Sequence, residues 1–145
     1  QELHRMMVTR FEEKIASLET AIRELQLSAN DETKSSAGDK YETGRAMMQL
    51  EIEKNARQLS ESLKLKHALD QINPDQMPGV VQSGSLVITD RDLFFIAISL
   101  GKVVLHNQAY LVVSPGSPIG QKLLGLKHGD KMIFQGMSYV VQELK

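Results

Sequence analysis

The chain contains no cysteine, which excludes disulfides, thiolate metal sites and cysteine nucleophiles together and fits a reducing compartment such as the cytoplasm. No apolar run approaches the roughly 18 residues that a membrane span needs, and no signal-peptide pattern opens the chain. Charge of one sign is lacking too. Seventeen Lys and Arg nearly balance eighteen Asp and Glu, for a net charge of −1, so no overall basic field would hold the chain on nucleic acid. Aromatic residues make up only 5% of the sequence, and neither Pro nor Gly occurs in residues 1–37. What remains, in 145 residues, is enough for one ordinary domain or two small ones.

The charges are unevenly spread. Residues 1–72 carry 13 acidic and 11 basic side chains, a balance of −2, and residues 73–145 carry 5 and 6, a balance of +1. Dense mixed charge is what a helix pair with much solvated surface shows. Phe11, Ile15, Leu18, Ile22 and Leu25 are spaced 4, 3, 4, 3, the seam of a coiled coil, with helix formers such as Glu12, Lys14, Glu19 and Arg23 between them. A helix ending near Leu27 would be roughly 40 Å long at 1.5 Å per residue. It would overhang a C-terminal domain whose radius is about 11 Å by compact-chain scaling. Gln1 already lies inside the helical pattern, so the native start is expected upstream.

Met48, Ile52, Ala56, Leu59 and Leu63 form a second apolar series, spaced 4, 4, 3, 4, after which the apolar positions shift to Leu65, Leu69 and Ile72, as expected where the helix leaves the hairpin. The two series predict an antiparallel hairpin over residues 1–73 that folds back near residue 36 or 37, at Ser35-Ser36-Ala37-Gly38. Met47 and Met48 are expected in the seam, and His67 as a half-buried packing residue. Asn73-Pro74-Asp75 stops the second helix, and residues 74–79 read as a linker.

At the fold-back stand Asp39 and Glu42. An Asp cap with Glu three residues on is a capping-box-like arrangement, favourable at the positive end of a helix. The same spacing puts two carboxylates on one helical face. Two such oxygen donors help hold a hard cation such as Mg²⁺ only beside a partner's ligands.

From Val80 the period changes to strands: 85–89, 93–99, 102–106, 109–113, 131–135 and 138–143, with a short helix over 119–124 that Ser117-Pro118 starts and Gly125 ends. The expected fold class is α+β, a helical hairpin followed by a small antiparallel sheet with one short helix over residues 80–145. His106 and His128, without a catalytic set around them, read as surface residues.

These motifs resemble the GreA/GreB transcript cleavage factors over nearly the whole chain. Gly84-Ser85-Leu86-Val87 matches that family's GS-x-V strand. Ser117-Pro118-Ile119-Gly120, with Leu123-Leu124-Gly125 and Gly129-Asp130, matches its SP-[IL]-[GA]-x-x-L-[LI]-G-x-x-x-GD segment, and Gly38, Asp39 and Glu42 fall in register with its tip motif. The resemblance implies a coiled-coil hairpin, a C-terminal FKBP-like domain, and a cytoplasmic monomer that works in transcription elongation and regulation in the company of DNA. Its partner would be bacterial RNA polymerase, bound at the secondary channel and rim, with the nascent RNA 3′ end touched indirectly. Asp39 and Glu42 would stabilise metal at the polymerase's own active site, so that backtracked RNA is hydrolysed. The factor would be no enzyme and hold no cofactor of its own, sharing Mg²⁺ with the polymerase. Ser117, Pro118, Ile119 and Gly120 would form part of the docking surface.

Around the tip, the family's Leu, Asn, second Glu and Tyr are replaced by Lys40, Thr43, Arg45 and Ala46. An exposed Arg45–Glu42 pair would be worth under about 1 kcal/mol. The alternative reading is a regulator that enters the channel without stimulating cleavage, its carboxylates serving only as a helix cap. Prolyl isomerase activity is the third. It has little to build a proline pocket from, since Phe94, Phe95, Tyr110, Phe134 and Tyr139 must also serve the core.

Overall fold

A computed structural model describes residues 2–32, 38–75 and 79–145, with backbone alone for 31, 32 and 38–42. They form two compact units, Gln1–Arg5 with Ala68–Lys145, and Met6–His67. The expected fold-back at 36–37 and part of the linker at 76–78 lie outside the described residues.

Two long helices open the chain, α1 (Glu2–Glu32) and α2 (Gly38–Asp70). α1 runs past the expected end at Leu27, because Ser28 through Glu32 contain no Pro or Gly to break it. The helices are antiparallel: His4 Nε2 lies 2.7 Å from the Leu69 carbonyl oxygen, and the Glu12 carboxylate 3.9 Å from Lys66 Nζ. Along α1, Leu3, Met7, Phe11 and Ile15 are buried, Leu18, Ile22 and Leu25 are half-buried, and Leu27 is exposed.

On α2 the inward face differs from the apolar series. Met48, Ile52, Asn55, Leu59, Ser62, Lys66 and Leu69 are buried or half-buried at 4, 3, 4, 3, 4, 3 spacing, and Gln58 and Leu65, beside Leu59 and Lys66, are half-buried with them. Ala56 and Leu63, expected in the seam, are exposed, as is Met47, and His67 is exposed rather than half-buried. Helix pairing keeps one stripe of a 3.5-residue repeat toward the partner, whereas a 4, 4, 3, 4 series drifts sideways off it. Ser62, a small polar residue on this face, is buried at 2% exposure.

The β-rich unit contains β1 (Leu86–Thr89), β2 (Leu93–Ile96), β3 (Gly101–Leu105), β4 (Gln108–Val113), α3 (Pro118–Leu123), β5 (Lys131–Phe134) and β6 (Met137–Leu144), with strand order β3-β4-β2-β1-β6-β5. The sheet is mixed rather than antiparallel: β2 and β4 run parallel, Phe95 opposite Val112. β3 folds outside β4, so β4 returns between them in the direction of β2. Both two-residue hairpins, His106-Asn107 and Gln135-Gly136, have positive φ at each central residue (51° and 61°, 50° and 78°), the turn whose twist suits paired strands.

Strand alternation sends Phe94 and Phe95 to opposite faces, and both are fully buried. Phe94 and Ile96 join Val81, Val87, Leu123 and Val141 in one core, where Tyr139 meets Phe94 edge-on at 5.8 Å. On the other face the His4 ring stands edge-on to Phe95 at 6.5 Å. A sheet covered on both faces explains a β2 that is apolar without alternation, each buried Phe contributing about 1.5–3 kcal/mol.

Candidate functional site

Asp39 and Glu42 occupy the first turn of α2. The described part of the helix runs from Gly38 to Asp70, and the capping-box arrangement of Asp39 and Glu42 lies outside the described residues, since residues 33–37 and these two side chains are not among them. Backbone geometry alone puts residues 39 and 42 one turn apart on one helical face; their side chains lie outside the described residues. Carboxylates in a first helical turn sit where the unpaired N–H groups make the potential positive. Residues 31–45 hold four acidic and three basic side chains, Asp31, Glu32, Asp39 and Glu42 against Lys34, Lys40 and Arg45, a local balance of −1. The chemistry of the pair, two hard oxygen donors three residues apart on one helix, fits a divalent cation whose other positions are filled elsewhere. Among the described residues, no three His, Asp or Glu side chains gather as a metal site.

The second predicted element, Ser117 to Gly120, is built from local rules. Ser117 caps α3: its Oγ accepts from Gly120 N at 3.1 Å and donates to the Ser114 carbonyl at 2.7 Å. Pro118 takes the first helical position, where its missing N–H costs nothing. Ile119 is half-buried against the core formed by Val81 and Leu123. Gly120 is buried, and a Cβ there would collide with the Ser114 carbonyl oxygen, so the position suits glycine alone. At the other end of α3, Gly125 N donates to Val81 O at 2.8 Å and Val81 N to Leu126 O at 2.8 Å, which ties the segment to the incoming chain. Three of the four residues thus serve the fold directly, and only Pro118 is exposed.

Other histidines stand apart from both elements. His106 bonds Glu2 Oε1 at 2.8 Å, with its own side chain 72% exposed, and His128 is exposed. His4, which sequence reasoning passed over, links the start of α1 to the end of α2 through Leu69 O. Leu3 and Met7 were also missed. Their spacing of four with Phe11 and Ile15 was the available signal, but a search for a 4, 3 repeat does not collect it.

No family model matches the chain, and no curated protein matches it. Among the described residues, no helix is long and apolar enough to cross a membrane.

Proposed function

We propose that the chain is a secondary-channel factor of bacterial RNA polymerase, similar to the GreA/GreB factors, which stimulates cleavage of backtracked RNA through Asp39 and Glu42. The observation that carries this reading is the pairing of two long antiparallel helices with an acidic i, i+3 pair in the first turn of the second. Helices of 31 and 33 residues are about 45–50 Å long at 1.5 Å per residue, long enough to carry a carboxylate pair far into a channel. Such a pair binds metal weakly alone and works where another protein supplies most of the ligands. Mg²⁺ bound at the polymerase centre would supply an activated water and relief of phosphate charge. Asp39 and Glu42 would supply oxygen donors to it and orient that water by accepting its protons in hydrogen bonds.

In this reading the β-rich unit is FKBP-like and rests on the polymerase rim, with Pro118 its exposed contact in the Ser117–Gly120 segment. The factor is a cytoplasmic monomer with no cofactor of its own and no catalysis apart from the polymerase. The replacement residues Lys40, Thr43, Arg45 and Ala46 favour one competing reading, a channel regulator that does not stimulate cleavage.

A halted, backtracked elongation complex separates the two. The expected result is rapid RNA 3′ cleavage with the native chain, lost in the Asp39→Asn, Glu42→Gln double variant while polymerase binding persists. Binding without cleavage in either protein would sink the cleavage reading and leave the regulator.

A further inference from the structure

β5 is an outer strand of the sheet, paired with β6 alone. Phe134 and Met137 flank the two-residue turn, so they, and Met132 with Tyr139, exchange backbone hydrogen bonds, while Lys131 with Val140 and Ile133 with Ser138 do not. The other side of β6 agrees. Ser138 O accepts from Arg91 Nε at 2.7 Å and Val140 N donates to Asp90 Oδ1 at 2.8 Å, so both residues turn their backbone groups away from β5. Lys131 and Ile133 accordingly turn theirs off the edge of the sheet, and among the described residues no backbone group bonds them there. Their side chains share one face. Ile133 is 63% exposed, Lys131 is exposed, and Val140, diagonal to Ile133, is half-buried.

We propose that β5 docks an extended acidic peptide, which adds antiparallel to its open edge with an apolar side chain opposite Ile133 and, two residues on, a carboxylate opposite Lys131. An added strand satisfies the open N–H and C=O groups by main-chain bonds, and its alternate side chains give specificity. A lysine on a short outer strand guards against pairing with apolar or basic strands. Toward a carboxylate the same charge attracts, and an apolar side chain as exposed as Ile133 beside it is what a merely guarded edge does without. The surroundings have the same sign. Residues 115–138 hold Lys122, Lys127 and Lys131, all exposed, against Asp130 alone. The Asp130 carboxylate is already engaged, accepting from Lys127 N at 2.8 Å, as that of Asp90 is by Val140 N. On β3, the other outer strand, Val104 is exposed, but Lys102 is the one charged side chain. The inference rests on the β-rich unit alone and is independent of any role at a polymerase.

The probe is a fluorescent peptide, Val-Thr-Glu-Ser-Val-Thr-Glu-Ser, titrated against the full chain and read by anisotropy, with amide NMR shifts to locate it. If β5 takes the peptide, binding saturates and the largest shifts fall in β5, Lys131–Phe134. Lys131→Glu weakens binding about fivefold or more, by turning one cross-strand attraction into a repulsion. The same peptide with Lys in place of Glu then binds that variant more tightly than it binds the native chain. Ile133→Thr, which keeps strand propensity, weakens binding about threefold or more. Peptide N-methylated at Val and Glu, whose N–H groups meet β5, no longer binds, whereas N-methylation at Thr and Ser, whose N–H groups face away, spares it. Absence of saturable binding, equal binding of the two methylated forms, shifts centred on β3, or binding unchanged by Lys131→Glu overturns the proposal.

Discussion

Gly120 and Ser117 show how much a single position decides. A Cβ at residue 120 would collide with a backbone oxygen, that of Ser114, which has no rotamer by which to yield. Gly120→Ala is therefore expected to destabilise the β-rich unit by about 2–3 kcal/mol, as overpacking does, seen as a lower midpoint in chemical denaturation. Ser117→Ala should cost about 1 kcal/mol, the usual loss for a helix cap. If Ser117→Ala weakened polymerase binding with no change in stability, the residue would be a docking contact rather than a cap. The motif from Ser117 to Gly120 was legible in sequence because cap, proline and close-packed glycine each obey a local rule. Which of its side chains remain available to a partner was not legible, since exposure depends on what α3 covers.

At the scale of elements, α2 separates hydrophobicity from burial. Leu63 and Leu69 are alike in a sequence reading, yet Leu63 is 47% exposed and Leu69 is fully buried. Leu69→Ala is expected to cost about 2–5 kcal/mol, and Leu63→Ala under about 1 kcal/mol, as for an exposed site. Urea denaturation followed by helical circular dichroism checks both, and equal losses would mean that Leu63 is packed in solution. The strands were easier to read. Short β-branched runs, with His106-Asn107 and Gln135-Gly136 between them, marked every strand to within three residues. The parallel pairing of β2 with β4 could not be read, because it depends on β3 lying outside β4, and no local signal states strand order.

At the scale of the whole molecule, burial is graded along the hairpin. Leu3 and Met7 are 3% and 1% exposed, Phe11 and Ile15 rise to 7% and 9%, and Leu27 reaches 59%. Amide exchange should follow the same order, since opening free energies fall from the global value in the core toward zero where few apolar contacts hold a segment. Protection is expected to be highest in β1, β2 and β6 and to decline along α1 from Phe11 to Leu27. Uniform protection along α1 would show that the helix opens only as one unit.

The sequence by itself determined the two long helices, the strands, the tight turns of the β-hairpins, and the placing of Asp39 and Glu42 one turn apart on α2. All of these follow from chain-local chemistry: periodicity, propensity, and the few residues that tolerate a cap or a left-handed turn. Only the tertiary structure decided which stripe of α2 faces α1, that Phe94 and Phe95 are both buried on opposite faces of one sheet, and that β4 slots between β2 and β3. These depend on what lies across a gap in space. A side chain's neighbour there is a residue dozens of positions away, and the sequence pattern around either one does not name the other.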